Sequence, residues 1–274
     1  MPAPLRQIQT VFPGDGPFRA VLWSQTELDA PGFDPADWLT DGERREHDAL
    51  GNDKRRREWL AARVALKDLL VRDRVVRRPF DASVRKDARG CPRIVIREPD
   101  TGRYAERACS ISHSGPFVLV AYLRRRGGRI GVDLERRTWR VSYLRRKFVS
   151  PADAMLEKDD ASGDGTILWS FKEALSKLLG TGWACGFRNL SCRELRPGLC
   201  EMRDAEERPY PGLYAWFGHY AMTVVYEEVS EETRFVFGPP KRPFFQRFAR
   251  AWRLRRLRAF RRRAAASPPP PPAE

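Results

Sequence analysis

Apolar residues fall into runs of two kinds along this chain. Residues 18–24 (FRAVLWS) are mostly apolar over a strand's length and predict a first strand. The polar segment 34–50 (DPADWLTDGERREHDAL) predicts helix after Pro35. Over 53–71, Trp59, Leu60, Val64, Leu66, Leu69 and Leu70 recur at helical spacing, with arginines at the start and on other faces. Residues 83–97 (SVRKDARGCPRIVIR) read as strand, Gly-Pro turn and strand. The run 117–123 (FVLVAYL) predicts a buried strand, and RIGVDLE at 129–135 its hairpin partner across the turn RRRGG. A second strong helix is expected over 166–179 (TILWSFKEALSKLL), closed by Gly180 and Gly182. FRNLSCREL, GLYAWFGHY and AMTVVYEEV then read as short strands.

The order is strand, helix, strands, and then strand, helix, strands again. An α+β fold of two similar halves is expected, 1–125 and 126–238, although no sequence repeat between them is visible. From 239 to 274 the chain turns basic and aromatic and ends in a proline run, which belongs to neither helix nor sheet interior.

Charge matters mainly for this last segment. The formal net charge is +15 over 274 residues, but 239–274 carries +10 of it and leaves +5 for the body. The body therefore does not single out nucleic acid as a partner. For the tail, Phe244, Phe245, Phe248 and Trp252 on one side of a helix would suit a nucleic acid, an acidic membrane or an acidic protein partner; a disordered basic extension is the simpler expectation. Hydrophobic residues at 42% exclude a disordered body. Five cysteines with no C-x-x-C pair read as free thiols. With no secretory leader and no apolar run of about 18 residues, a cytoplasmic protein is expected.

Three short segments carry candidate chemistry. In RIGVDLE, Asp133 and Glu135 are two apart and share a strand face, where a Mg²⁺ ion would relieve their repulsion; two solvated acids are the plainer reading. In WSFKEALSK, Glu173 and Lys177 are four apart on one helical face, as a surface ion pair would be, and Trp169 on that side reads as core packing. In SISHSGPF, a loop His113 beside Ser112 could donate to phosphate, serve a turn, or form half of a Ser–His pair. A hydrolase is disfavoured, because no G-x-S-x-G is present.

In this order the segments SISHSGPF, IGVDLE and WSFKEALSKLLGTG resemble the 4′-phosphopantetheinyl transferase superfamily, in its long single-chain form named after the surfactin-synthetase activator. The resemblance spans about residues 18–230. It implies two α+β halves in pseudo-two-fold relation with coenzyme A between them. It also implies Mg²⁺-dependent transfer of the phosphopantetheine arm to a serine of an apo acyl- or peptidyl-carrier protein, by a monomer. Asp133 and Glu135 would hold the metal, and Glu173 would complete its shell or act as general base. Lys177 would steady phosphate charge or share in proton transfer. Ser112, His113 and Lys172 would contact coenzyme A, with Arg57 and Arg63 on the adenylate side. One departure stands out: the family's Gly-Lys-Pro turn is Gly90-Cys91-Pro92 here, so a cation is missing unless Lys86, Arg89 or Arg93 replaces it. A chain that kept the fold but lost the chemistry is the alternative this departure leaves open.

Overall fold

The computed structural model describes residues 7–10, 12, 16–97, 102–154 and 161–227. They belong to one compact unit, Met1–Val229. Residues 228–274, and with them the basic 239–274 tail, lie outside the described residues.

In chain order the elements are β1 (Gln7–Thr10), β2 (Phe18–Ser24), α1 (Asp41–Asp48), α2 (Asp53–Arg72), β3 (Ala82–Lys86), β4 (Pro92–Arg97), β5 (Tyr104–Ser114), β6 (Phe117–Leu123), β7 (Arg129–Arg136), α3 (Arg140–Phe148), α4 (Ala161–Leu179), β8 (Ser191–Arg196), β9 (Leu199–Arg203), β10 (Pro209–Phe217) and β11 (Tyr220–Glu227). They build two antiparallel sheets, ordered β1-β2-β6-β5-β4-β3 and β7-β11-β10-β9-β8. Leaving β1 aside, both sheets follow one plan: the first strand, a long helix, then four strands that return to pair the last strand with the first. Register agrees as well. Val21 and Trp23 of β2 pair with the fourth and second residues of β6, Val120 and Val118. Asp133 and Glu135 of β7 pair with the fourth and second residues of β11, Thr223 and Ala221.

The core has three parts. Leu60, Val64, Leu66 and Leu70 of α2 cover one face of the first sheet, against Val21, Trp23 and Val120. Phe171, Ala174, Leu175 and Leu178 of α4 cover one face of the second, against Cys200, Tyr210 and Ala221. The remaining faces meet through Phe18, Leu22, Leu119, Val132, Leu134 and Val224. The even–odd alternation in β7 follows: Ile130, Val132 and Leu134 point to the sheet–sheet core, and Gly131, Asp133 and Glu135 face α4.

Helix starts obey local chemistry. Asn52 caps α2 by accepting from the Arg55 amide at 3.0 Å. Thr40 and Glu43 form a reciprocal capping box at the head of α1.

Several expectations change. β7 is not the hairpin partner of β6; the two belong to different sheets, and the glycine turn between them is a crossover. Gly128, at φ +70°, packs so close to Glu227 that a Cβ would lie 2.2 Å from its carbonyl oxygen. Ser112 and His113 sit on strand β5, not on a loop, because the paired stretch continues to the tight Gly115-Pro116 turn. Helix α3 and strand β9 had no counterpart in the sequence reading, and the helix expected from Pro35 is a 3-10 turn at Pro35–Asp37 followed by α1. All five cysteines are free. Among the described residues no helix is long and apolar enough to cross a membrane.

Candidate active site

Gly131 sets the geometry. A Cβ there would lie 1.8 Å from the carbonyl oxygen of Ala174, so no side chain fits and β7 lies directly under α4. Ser170 and Thr223 join hydroxyls at 2.9 Å in the buried interface, pinning the helix to β11 beside Asp133. Trp169, Glu173 and Lys177, one helical turn apart, then overhang Asp133 and Glu135.

The polar contacts interlock. Lys177 Nζ donates to Asp133 Oδ1 at 2.8 Å, to Ser112 Oγ at 3.0 Å and to the Val132 carbonyl at 3.1 Å, which satisfies all three ammonium hydrogens. Ser112 Oγ donates in turn to Asp133 Oδ1 at 2.9 Å. Ser110 Oγ accepts from the Val132 amide at 3.0 Å. β7 is the edge of its sheet, so Ser110 and Lys177 close backbone groups that a neighbouring strand would otherwise take. Asp133 is buried, and its Oδ2 has no hydrogen-bond partner among the described residues.

Two acids are far from their ordinary state. Burial, then the neighbouring Asp133 carboxylate, raises Glu135 to about 7; the Trp169 indole N–H, 3.3 Å from Oε1, and Lys177 pull the other way, while Glu173 adds to the rise. Glu173 is likewise pushed up to about 7, by burial first and Asp133 second, with Lys177 opposing. Three carboxylates face one ammonium in a half-shielded place. An orphaned buried carboxylate oxygen and two acids whose charge is suppressed are what a hard divalent cation with oxygen preference would relieve. As the side chains stand, no group of three metal-capable residues closes up among the described residues; the Lys177 ammonium occupies the flank of Asp133.

The remaining predicted residues divide. Ser112 joins the acids, but His113 points to the other sheet face, with Nε2 3.8 Å from Glu58 of α2 and half its side chain exposed. Arg57 donates to the Gln25 carbonyl at 2.9 Å and to Asp29 at 2.5 Å. Gln25 in turn donates to the Gly115 carbonyl at 3.1 Å, so the start of α2 is tied to the hairpin that follows His113. Arg63 is buried with its guanidinium 3.8 Å over the Trp59 ring, and burial lowers its pKa. Lys172 is fully buried on another side of α4, hydrogen-bonded to Asp153 and the Phe148 carbonyl, and does not reach the acid cluster.

Cys91 leans on the end of α4. Its Sγ donates to the Lys177 carbonyl at 3.7 Å, and a Cβ on Gly180 would come within 2.8 Å of that sulfur. Asp87 Oδ1 shapes the turn by accepting from the Arg89 and Cys91 amides, both at 2.9 Å. A small hollow here is lined by Arg89, Cys91, Arg93, Arg129 and Leu178. Sequence reading missed Ser110, Asp153 and the polar role of Trp169; only the alternation Ser110-Ser112 on a strand could have signalled the first.

Residues 129–225 match the family model of the 4′-phosphopantetheinyl transferase superfamily. The matched stretch runs from β7 to β11 and contains Asp133, Glu135, Glu173 and Lys177. No curated protein sequence gave a significant match to the chain.

Proposed function

We propose, on the superfamily match over 129–225, that this chain transfers the 4′-phosphopantetheine arm of coenzyme A to a serine of an apo carrier protein. The observation that carries the reading is the Asp133–Glu135–Glu173–Lys177 cluster, two of its acids raised to about 7, inside the matched stretch.

The serine hydroxyl of the carrier attacks the β-phosphorus of coenzyme A. A P–O bond forms to the serine oxygen, the pyrophosphate P–O bond breaks, and 3′,5′-ADP leaves. A serine is a weak nucleophile at neutral pH and needs a base within hydrogen-bond reach. Glu173 takes the serine proton: its carboxylate has no hydrogen-bond donor among the described residues, and a pKa of about 7 suits proton exchange near neutrality. Lys177, held by Asp133 and Ser112, presents positive charge where the phosphate oxygens gain negative charge. Asp133 and Glu135 would hold Mg²⁺, supported by the orphaned Asp133 Oδ2 and the oxygen-only donor set. That ion, when bound, neutralises pyrophosphate charge and polarises the phosphorus. Ser112 and the His113–Arg57 neighbourhood would receive coenzyme A, and Arg89 and Arg93 would supply the positive charge that Cys91 lacks.

The shared strand plan of the two sheets supports the pseudo-two-fold arrangement of the long single-chain form, with coenzyme A between the halves. Acyl carrier and peptidyl carrier proteins fit the chemistry equally. The test is intact-mass measurement of a panel of apo carriers incubated with coenzyme A and Mg²⁺. One phosphopantetheine arm gained, and lost with EDTA, is expected. No gain on any carrier together with no coenzyme A binding would reject the proposal.

A further inference from the structure

The surroundings of Lys172 occur twice. In the second half, Lys172 Nζ of α4 donates to the Phe148 carbonyl at 2.6 Å and to Asp153 Oδ2 at 2.7 Å, while Asp153 Oδ1 accepts from the Cys192 amide of β8 at 2.8 Å. In the first half, Lys67 Nζ of α2 donates to the Trp38 carbonyl at 2.7 Å and to Glu43 Oε2 at 2.5 Å, while Glu43 Oε1 accepts from the Val84 amide of β3 at 3.0 Å. Each lysine is fully buried, and burial lowers its pKa against the pull of its acid. Each clamp joins the long helix to the segment before it and to the strand after it. The residues that follow also correspond: Lys-Asp-Leu-Leu-Val-Arg from 67 and Lys-Glu-Ala-Leu-Ser-Lys from 172. This is the repeat that the sequence alone did not disclose.

We infer that Lys172 and Asp153 are positioning residues for Glu173, not contacts of coenzyme A. The inference rests on the phosphopantetheinyl-transfer reading. Successive helical residues project about 100° apart, so anchoring Lys172 in the interior fixes the rotation of α4 and aims Glu173 at the acid cluster. Lys172, with no exposed surface, offers nothing for a ligand phosphate to touch. The twin clamp does the same for Asp68, which pairs with Arg72 at 2.8 Å and faces no comparable acids on β2, where Val21 and Trp23 stand.

The test compares K172M, D153N, the double variant and a matched first-half control, K67M/E43Q. Each is followed by melting temperature, coenzyme A affinity by calorimetry, and kcat and KM on a carrier that the wild type modifies. K172M strands a buried carboxylate, so its melting temperature drops, and kcat falls about 100-fold as Glu173 shifts. Adding D153N removes the stranded charge but turns an amide NH2 toward the Ser150 or Cys192 amide, so it restores part of the lost melting temperature and about tenfold of kcat. Coenzyme A affinity stays within about threefold throughout, because no ligand contact is lost. K67M/E43Q lowers the melting temperature but leaves kcat within about threefold. A K172M protein that binds coenzyme A tenfold more weakly, with no recovery from D153N, overturns the inference. So does a control pair that loses kcat as heavily as the second-half pair. If K172M does not fold, the double variant decides: retained coenzyme A affinity with reduced kcat supports positioning, and lost affinity refutes it. A wild type that modifies no carrier sinks the transfer reading instead, and the clamp is then judged on the melting cycle and coenzyme A affinity alone.

Discussion

Raising the pH of the metal-free protein should destabilise it through the acids where α4 meets β7. In the folded chain Glu135 and Glu173 titrate near 7, against 4.5 for an ordinary glutamate. Between those values the folded state keeps protons that the unfolded chain has released, so stability falls as pH rises through the window and levels off above about 7. For Glu135 the full shift corresponds to about 3 kcal/mol, taken as a ceiling. Glu173 is more exposed, and solvent screening reduces its share. Part of that is already lost at pH 5, so for a chain of this size the ceiling translates into a melting temperature about 5–10 °C lower at pH 8 than at pH 5. Mg²⁺ at about 100 times its dissociation constant would return about 2.7 kcal/mol at pH 8 and much less at pH 5, where protons occupy the acids. The assay is circular dichroism melting at four or so pH values, with EDTA or Mg²⁺, on wild type and Glu135→Gln. The variant should show a flatter profile and a weaker Mg²⁺ response. A metal-free wild type whose melting temperature holds or rises from pH 5 to pH 8 would refute the reasoning, as would an equal Mg²⁺ effect at both ends.

Other expectations follow from single contacts. Gly131→Ala must force β7 and α4 apart by more than 1 Å to clear the Ala174 oxygen, costing about 1–3 kcal/mol and about 100-fold in kcat; a fully active, equally stable variant would show that the helix is not held where described. Glu173→Gln should keep coenzyme A affinity in calorimetry while kcat falls at least about 100-fold, and near-normal turnover would remove Glu173 as the base. Trp169→Phe removes the indole donor that lowers Glu135, so the acid limb of the kcat profile should move to higher pH; an unchanged limb would mean that this hydrogen bond does not tune the site.

The long apolar patterns were readable from sequence because burial repeats at fixed periods: α2, α4, β2, β6 and β7 stand close to where the pattern put them. Pairing was not readable. The proximity of FVLVAYL and RIGVDLE along the chain indicated a hairpin, but β7 pairs with β11 and packs its apolar face on the first sheet, a long-range choice that local spacing does not encode. α3 was missed because its basic residues hide a short apolar stripe of Val141, Leu144 and Phe148. At the candidate site, spacing brought Asp133, Glu135, Glu173 and Lys177 into view, and the structure sets them together. Spacing says nothing about which way a buried cation turns. Lys172 and Lys177 look alike in the motif, yet one is locked to Asp153 and the other to Asp133.

The common plan of the two sheets fixes a stoichiometry. At the two β2 positions that match Asp133 and Glu135 by register, the first half carries Val21 and Trp23, both wholly buried. The first half thus fills with packing residues the positions where the second half carries carboxylates, and the described residues present one such acid cluster per chain, not two. An ion that depends on that cluster should therefore saturate at one equivalent per chain, a count that titration calorimetry reads directly.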